Sequence, residues 1–133
     1  DKQLDTDLPP SLVDPHQMQR IFQNLIENSV RAMPEGGRIK VSTRTLRAKA
    51  SNERPWVYIE FKDEGPGIPE DKLQKIFEPF YTTYKKEGGT GMGLAISRQI
   101  IMHHQGFIDV TSKTGKGTIF NIRLPGIVGE QND

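Results

Sequence analysis

The sequence predicts an α+β fold: a two-layer α/β sandwich with helices packed on one face of a mixed, mostly antiparallel sheet. Its segments follow one another as helix, two strands, irregular stretch, helix and two strands. The strand segments alternate apolar and polar residues, whereas the helical segments repeat apolar residues every three or four positions. A chain of 133 residues is long enough to bury one core. We therefore expect residues 1–133 to form a single domain.

The clearest helix runs from Asp14 to Met33. Asp14 is a favourable N-cap, and Pro15 occupies the first helical position, where its missing N–H costs nothing. The helix is amphipathic. Its apolar face comprises Met18, Ile21, Phe22, Leu25, Ser29 and Met33. Its polar face comprises Gln17, Arg20, Asn24, Glu27, Asn28 and Arg31.

Two strands follow the helix. Residues 38–45 and 56–63 alternate as strands joined by a polar hairpin loop, and Val57, Ile59 and Phe61 share one face of the second strand. The next stretch, to about residue 89, holds one short helical turn among glycine, proline and charged residues. A segment of this length with so little regular structure usually has a functional reason.

A second helix and a closing hairpin complete the domain. Leu94–His104 is apolar nearly all round, so we expect a buried helix that stops at Gly106. The stretches GFIDVTSK and GTIFNIRLP then form two strands joined through TGKG.

Composition limits the classes of function. The chain has 18 Lys and Arg residues against 17 Asp and Glu, so neither nucleic acid nor an anionic membrane surface is indicated as its main partner. The absence of cysteine excludes disulfides and thiol chemistry. No apolar run reaches the length of a membrane span, and the polar start DKQLDTDLPP is not a signal peptide. We expect a cytoplasmic domain that is a fragment of a longer protein.

The stretch GGTGMGLAI, Gly88–Ile96, places glycines at every second position before an apolar helix. It matches neither a Walker A sequence nor a dinucleotide fingerprint. Bare amides that lead into a helix N-terminus nevertheless favour an anion, because the N–H groups and the helix dipole both attract negative charge. Taken alone, the stretch fits either a phosphate cradle or a plain flexible connector.

The stretch DEGPGI, Asp63–Ile68, places an acid at a strand end with glycines two and four residues later. A carboxylate only accepts hydrogen bonds. It would therefore take the exocyclic amino group of adenine and repel the carbonyl oxygen that guanine carries at the same position. The alternative is an ordinary strand-end turn with a solvated acid.

On the first helix, Asn24 and Asn28 are four residues apart and share a face, with Arg31 one turn beyond. An asparagine carbonyl is a hard oxygen that suits Mg²⁺, an ion that keeps most of its waters and binds through substrate phosphates. The alternative is the solvated face of an amphipathic helix.

In this order, the three stretches resemble the ATP-binding catalytic domain of sensor histidine kinases, within the superfamily that includes DNA gyrase, mismatch-repair and chaperone ATPases. NLIENSVRAM resembles the N box, DEGPGI the G1 box, FEPFYTT the F box and GTGMGL the G2 box, and GKGTIFNIRLP is similar to the closing strand. The resemblance covers nearly the whole chain. It implies the Bergerat ATP-binding fold, with ATP and Mg²⁺ as ligands and ADP as the product.

The resemblance also implies individual roles. Asn28 would bind Mg²⁺ and Arg31 the γ-phosphate, while Asp63 would hold the adenine amino group. Gly67 and Thr118 would complete the base site, partly through water. The other implied nucleotide contacts are Asn24, Gly65, Ile68, Phe80, Thr82, Thr83, Lys85, Lys86, Gly89, Thr90, Gly91, Met92, Gly93 and Leu94.

Residues 77–93 resemble the mobile ATP lid of this family. Lys85 or Lys86 either reaches the phosphates or is a solvated lid charge. Phe80 and Tyr81 either dock the helical domain that carries the phosphoaccepting histidine or pack inward and pin the lid.

Two positions depart from the family's pattern. Relatives that hydrolyse ATP carry a water-activating glutamate four residues before the magnesium asparagine, where this chain has Asn24, so efficient hydrolysis is not expected. Glu27, about 100° around the helix from Asn28, either contributes to catalysis or is a surface acid. Some relatives stack an aromatic side chain on the adenine at the position of Ala32.

The reaction implied is phosphoryl transfer from ATP to a histidine on a separate dimerisation domain, and onward to a response regulator receiver domain. The candidate catalytic residues are Asn24, Glu27, Asn28 and Arg31. His16, His103 and His104 lack the context of a phosphoacceptor, so we expect them to be structural or surface residues.

We expect the domain alone to be monomeric and to contact neither nucleic acid nor membrane, even where the parent kinase is membrane-anchored. Two alternatives are a serine protein kinase of the same superfamily and a catalytically silent nucleotide-binding or interaction module.

Overall fold

The computed structural model describes residues 2–3, 14–46, 55–78 and 93–126. The elements of this part of the chain are β1 (Lys2–Gln3), α1 (Pro15–Ala32), β2 (Ile39–Leu46), β3 (Trp56–Asp63), α2 (Glu70–Leu73), α3 (Gly93–His103), β4 (Phe107–Lys113) and β5 (Gly117–Pro125). The predicted order of elements is confirmed, and β1 is an addition to it. The predicted α+β sandwich is confirmed as well.

The strands form one sheet in the order β1-β2-β3-β5-β4. All pairs are antiparallel except β1, which adds to β2 in parallel. The register places Asp63, the last residue of β3, opposite Thr118 near the start of β5. Ser112 of β4 lies opposite Thr118 on the other side. Asp63 therefore meets two polar side chains from a distant part of the sequence at one end of the sheet.

The core lies between α1, α3 and one face of the sheet. The predicted apolar face of α1 is confirmed, because Met18, Ile21, Leu25 and Ser29 are all buried. Alternate residues of β3 and β5 face the helices: Val57, Ile59, Phe61, Phe120, Ile122 and Leu124. Each fully buried aliphatic or aromatic side chain stabilises the fold by about 1.5–3 kcal/mol. This packing fixes the height and rotation of α1 above the end of β3.

The prediction that α3 is buried all round is wrong. Its inner residues Ala95, Ser97, Ile100 and Ile101 are buried, but Met102 is 56% exposed. In a fold of two layers a helix meets the sheet on one side only, so its opposite side faces solvent. Single apolar residues on such a face are ordinary in folded proteins.

The C-terminus of α3 is a Schellman motif in which the left-handed residue is Gln105, with a φ of 59°, rather than Gly106. The Gly106 N–H donates to the Ile101 carbonyl at 2.9 Å, and the Gln105 N–H donates to the Met102 carbonyl at 3.0 Å. Gly106 is required for another reason: a Cβ there would lie 2.5 Å from the carbonyl oxygen of Arg123 on β5. The sequence prediction located the helix end correctly and assigned Gly106 the wrong role.

Replacing Gln105 with glycine is expected to stabilise the protein by about 0.5–1 kcal/mol, because glycine adopts the left-handed conformation without the steric cost of a Cβ. Gln105 is exposed, so the change removes no buried contact. Gln99→Gly, at an exposed position inside α3, is the matched control and should destabilise by about 1 kcal/mol. Urea unfolding measures both, and a loss of stability in Gln105→Gly would contradict this description of the cap.

Candidate nucleotide-binding site

Asp63 ends β3 with a buried carboxylate that is fixed by two donors. The residue is only 5% exposed. Its Oδ2 accepts from the Ser29 hydroxyl at 2.9 Å, and its Oδ1 accepts from the Gly65 N–H at 2.9 Å. A carboxylate has about four acceptor positions, so each oxygen keeps one for a ligand. The solvated-acid alternative is excluded by this burial.

Ser29 is a further residue of the candidate site, and the sequence analysis assigned it only to the apolar face of α1. Its hydroxyl reaches Asp63 across the helix–sheet interface, 34 positions along the chain. The available signal was a single hydroxyl in an otherwise apolar stripe, at the position directly after Asn28. A hydroxyl facing a core needs a partner there.

Ser29→Ala is expected to lower the free energy of unfolding by about 1.5–3 kcal/mol, because a buried carboxylate oxygen loses a hydrogen-bond donor. Ser42→Ala, at a half-buried serine on β2, removes a hydroxyl of the same size and is expected to be close to neutral. Chemical denaturation of both variants tests the assignment. Equal stabilities would show that the Ser29–Asp63 bond contributes nothing.

The turn after Asp63 is pressed against the β4–β5 hairpin. Gly67 has a φ of 78°, and a Cβ there would lie 2.2 Å from the carbonyl oxygen of Lys113. The N–H of Gly115 donates to the Pro66 carbonyl at 2.7 Å. Gly67 was assigned to the base site by resemblance, and the structure adds a packing reason for a glycine at this position.

Thr118 and Ser112 form a second polar group beside Asp63. Thr118 is 5% exposed, and its Oγ1 lies 3.0 Å from the Ser112 Oγ. The Ile68 N–H donates to the Ser112 Oγ at 2.7 Å, and that hydroxyl donates to the Gly117 carbonyl at 2.9 Å. Ser112 therefore links β4, β5 and the turn after β3. No local signal in the sequence marked this serine.

Asn24 fastens α1 to the first turn of α3. Its Nδ2 donates to the Gly93 carbonyl at 3.2 Å and to the Ser97 Oγ at 3.3 Å. The Ser97 hydroxyl donates to the same carbonyl at 2.8 Å. The structure thus gives Asn24, a candidate for catalysis and nucleotide contact, a role in holding two helices together. Leu94, the next residue of α3, packs against the core.

Asn28 lies on α1 between the two contacts that Asn24 and Ser29 make with other elements of the fold. Its neighbour Ser29 reaches Asp63, and Asn24, one turn earlier, reaches the N-terminus of α3. The Asn28 side chain is half-buried, and none of the described residues hydrogen-bonds it. Arg31, also half-buried, follows one turn later near the same face. A ligand that spans from Asp63 to α3 would pass Asn28.

Glu27 points elsewhere. It is exposed, and its Oε1 accepts from the Gln23 Nε2 at 3.1 Å, one turn back along α1. This placement favours the surface-acid alternative over a catalytic role.

His104 has a structural role, in line with the expectation for the histidines. Its Nε2 accepts from the backbone N–H of Asp14 at 3.2 Å, and its Nδ1 lies 2.7 Å from the Ile100 carbonyl. Because the carbonyl only accepts, Nδ1 carries the proton, and the ring joins the N-cap of α1 to the end of α3. His16 and His103 are exposed.

The predicted lid, residues 77–93, falls mostly outside the described residues. Of its members, Phe77 packs on the core with its ring edge-on to Phe120, and Gly93 begins α3. The candidates that lie outside the described residues are Phe80, Tyr81, Thr82, Thr83, Lys85, Lys86, Gly89, Thr90, Gly91 and Met92. Their implied roles stay predictions.

Comparison with known proteins decides the family. Residues 13–127 match the family model described as histidine kinase-, DNA gyrase B-, and HSP90-like ATPase. The chain belongs to this ATPase family. Within it, Sporulation kinase E of Bacillus subtilis (strain 168) is 47% identical over 119 residues, which are 90% of this chain and 15% of that kinase.

Solved structures of other proteins share the fold. The catalytic domain of histidine kinase ThkA superposes with a TM-score of 0.75 at 29% identity, over 94% of this chain and 76% of that one. Full-length ShkA, solved in complex with AMPPNP, superposes with a TM-score of 0.77 at 26% identity, over 96% of this chain and 25% of that one. These similarities confirm the resemblance to sensor histidine kinase catalytic domains and the Bergerat architecture. The chain spans only a small part of the full kinases that it matches.

Proposed function

We propose that this chain binds ATP together with Mg²⁺ and donates the γ-phosphate to a histidine on the dimerisation domain of its kinase, for relay to a response regulator. The observation that carries the proposal is the buried carboxylate of Asp63 at the end of β3. Ser29 and Gly65 hold this carboxylate in place, and it can only accept hydrogen bonds from a ligand. We call this end of β3 the Asp63 corner. Such a corner suits the amino group of adenine. Membership of an ATPase family and the AMPPNP complex of ShkA support the same ligand.

The phosphates would extend from this corner past Asn28 to the N-terminus of α3. A helix N-terminus attracts anions through its unpaired N–H groups and its dipole. The family resemblance assigns Arg31, half-buried one turn after Asn28 on α1, to the outermost phosphate, with which its guanidinium would pair. Catalysis of phosphoryl transfer rests mainly on this positioning and charge stabilisation.

The donor set fits a magnesium ion shared with the nucleotide. Within the described segments, no group of three His, Cys, Asp or Glu side chains could hold a metal ion by itself. The Asn28 Oδ1 is a hard oxygen of the kind that Mg²⁺ accepts beside phosphate and water ligands. The ion, when bound, would screen the negative charge of the phosphates.

Asn24 supports transfer to a protein rather than to water. Its amide is not a base, and its Nδ2 is committed to Gly93 and Ser97 of α3. ATP would therefore persist in the site until the dimerisation domain presents its histidine.

We propose further that residues 1–133 act in the cytoplasm as one monomeric catalytic domain with residues 77–93 as its lid. None of the described helices combines the length and apolarity needed to cross a membrane.

The test combines this chain with the purified dimerisation domain of its kinase and γ-labelled ATP. We expect an acid-labile phosphate on that domain, and a loss of about a hundredfold in transfer rate in Asn28→Ala. Gln23→Ala, on the exposed side of α1, is the matched control and should transfer at the normal rate. An acid-stable phosphate would favour a serine kinase, and ATP binding without any transfer would favour a silent module.

A further inference from the structure

The sheet has an outer face that is turned away from α1, α3 and the core. Successive residues of a strand point to opposite faces, so the residues that alternate with the buried positions of β3 and β5 lie on this outer face. The strand register places one such residue from each of four neighbouring strands side by side. In order from β2 to β4 they are Arg44, Tyr58, Arg123 and Phe107. We call these four residues the outer row.

Cations and aromatic rings alternate along the outer row and contact each other. The Arg44 Cζ lies 4.4 Å from the centre of the Tyr58 ring, and the Arg123 Cζ lies 5.3 Å from the centre of the Phe107 ring. The Trp56 ring lies 5.8 Å from Phe107. A guanidinium that lies over a ring still has N–H groups at its edge for a carboxylate. The row therefore offers such N–H groups beside an apolar surface, since Phe107 is 53% exposed.

The side chains of the next row order the outer row. The Tyr58 hydroxyl donates to the Asn121 Oδ1, and the Asn121 Nδ2 donates to the Asp109 Oδ1 at 3.0 Å. The Asp109 Oδ2 lies 4.0 Å from the Arg123 guanidinium. Side chains that are ordered before a partner arrives lose less conformational entropy on binding. The outer face is therefore preorganised for a partner.

The outer face carries more cations than acids. Its cations are Lys40, Arg44, Lys62, Lys113 and Arg123, and its acids are Glu60 and Asp109. Lys40 and Lys62 lie directly opposite each other on β2 and β3, and like charges in such a pair destabilise a sheet. Neither lysine, nor Arg44, forms an ion pair with any residue that the structure describes. An anionic partner would relieve this repulsion.

We propose that the outer face docks an acidic protein segment from another domain of the parent kinase. Carboxylates of this segment pair with Arg44 and Lys62, and an apolar side chain of the segment covers Phe107. The proposal rests on the assignment to a kinase made above, but not on the nucleotide site. Tyrosine, tryptophan and arginine, which meet in and beside the outer row, are the residues that contribute most at the centres of protein interfaces.

The charges of the face select this occupant over others. A second copy of the chain would bring the same excess of cations, and like charges disfavour such a pairing. A nucleic acid or an anionic membrane would place its negative charge against Glu60 and Asp109 as well, whereas a protein segment can place neutral groups there. Most of each full kinase that this chain matches lies outside it. A segment of the same kinase would also bind at a high effective concentration.

The test replaces Phe107 in the full-length kinase with the photo-cross-linking amino acid p-benzoylphenylalanine. The kinase is irradiated in cells and purified, and mass spectrometry maps the product. We expect a cross-link to an acidic segment of the same kinase. The same amino acid in place of Val30, which is 57% exposed on α1, is the matched control and should not give this product.

Reversal of charge tests the chemistry of the contact. Arg44→Glu combined with Lys62→Glu should lower the yield of the cross-link by about tenfold, because two attractive contacts become repulsive. Arg20→Glu, at an exposed position of α1, should leave the yield unchanged. If the reversed variant does not fold, Arg44→Gln combined with Lys62→Gln removes both charges and should give a smaller loss in the same direction.

Three results would overturn the inference. One is a yield at Phe107 no higher than at Val30, and another is a yield that the charge variants do not change. The third is a different occupant, whether a lipid, a nucleic acid, another protein, a second copy or a segment without acids. The cross-link needs no nucleotide, so the transfer experiment above tests the proposed function separately.

Discussion

Asp63→Asn is expected to weaken ADP binding by about a hundred- to a thousandfold, because the substitution places a donor where the adenine amino group donates. The asparagine has one oxygen and one NH₂ group in place of two oxygens. Its oxygen must stay on the Gly65 N–H, which can only donate. The NH₂ group then takes the Oδ2 position, where the Ser29 hydroxyl can rotate to accept it but the base cannot.

The measurement is a calorimetric titration of ADP into the variant and the intact chain. Asp109→Asn is the matched control, because Asp109 lies on β4 with a side chain 58% exposed, where it accepts a hydrogen bond from the Asn121 Nδ2 at 3.0 Å and lies 4.0 Å from Arg123. It should bind ADP normally. If Asp63→Asn binds ADP as tightly as the intact chain, the base does not lie against Asp63.

The second large effect is on stability. Gly67→Ala is expected to destabilise the domain by about 2–5 kcal/mol, the sum of a left-handed alanine and an overpacked contact. The left-handed φ of 78° is one cause. The other is that the new Cβ would lie 2.2 Å from the Lys113 carbonyl, a backbone atom that cannot move without displacing the β4–β5 hairpin.

Gly115→Ala isolates the conformational component. Gly115 lies in the same hairpin region with a φ of 82°, but a Cβ there would meet nothing within 4 Å. This variant should cost only about 1–2 kcal/mol. Urea unfolding of both variants gives the difference, and equal losses would show that the hairpin does not press against the turn after β3.

The fold could be predicted where its causes are local. Asp14 caps α1 through hydrogen bonds to the next residues, and the alternation of Val57, Ile59 and Phe61 repeats within one strand. The predictions of the fold that were wrong or incomplete concern features that the local sequence does not determine. β1 is too short to show a period, and the exposed side of α3 depends on which layer the helix occupies. Gln105 takes the left-handed position at the helix end, and Gly106 is needed because a Cβ there would lie against Arg123 of β5, a contact that the local sequence does not show.

The site could be predicted in part. Asp63 could be proposed because its strand-end position and the following glycines are local, and Asn28 because it shares a helix face with Asn24; the resemblance then assigned Mg²⁺ to Asn28 and added Thr118, and these roles stay predictions. Ser29 and Ser112 were missed because Asp63, the partner of Ser29, lies 34 positions away and Ile68, one partner of Ser112, lies 44 positions away, so that only the fold reveals these contacts. The packing role of Gly67 was missed for the same reason. The Lys113 carbonyl that a Cβ at Gly67 would meet belongs to a distant part of the chain.

The central claim is that the corner between Asp63, Asn28 and the start of α3 holds an adenine nucleotide. The most direct measurement is a calorimetric titration of a non-hydrolysable ATP analogue into the intact chain, with and without Mg²⁺, beside the corresponding guanine analogue. We expect saturable binding of the adenine compound that Mg²⁺ strengthens, and no binding of the guanine compound. A folded chain that binds neither compound, or both equally, would contradict the claim.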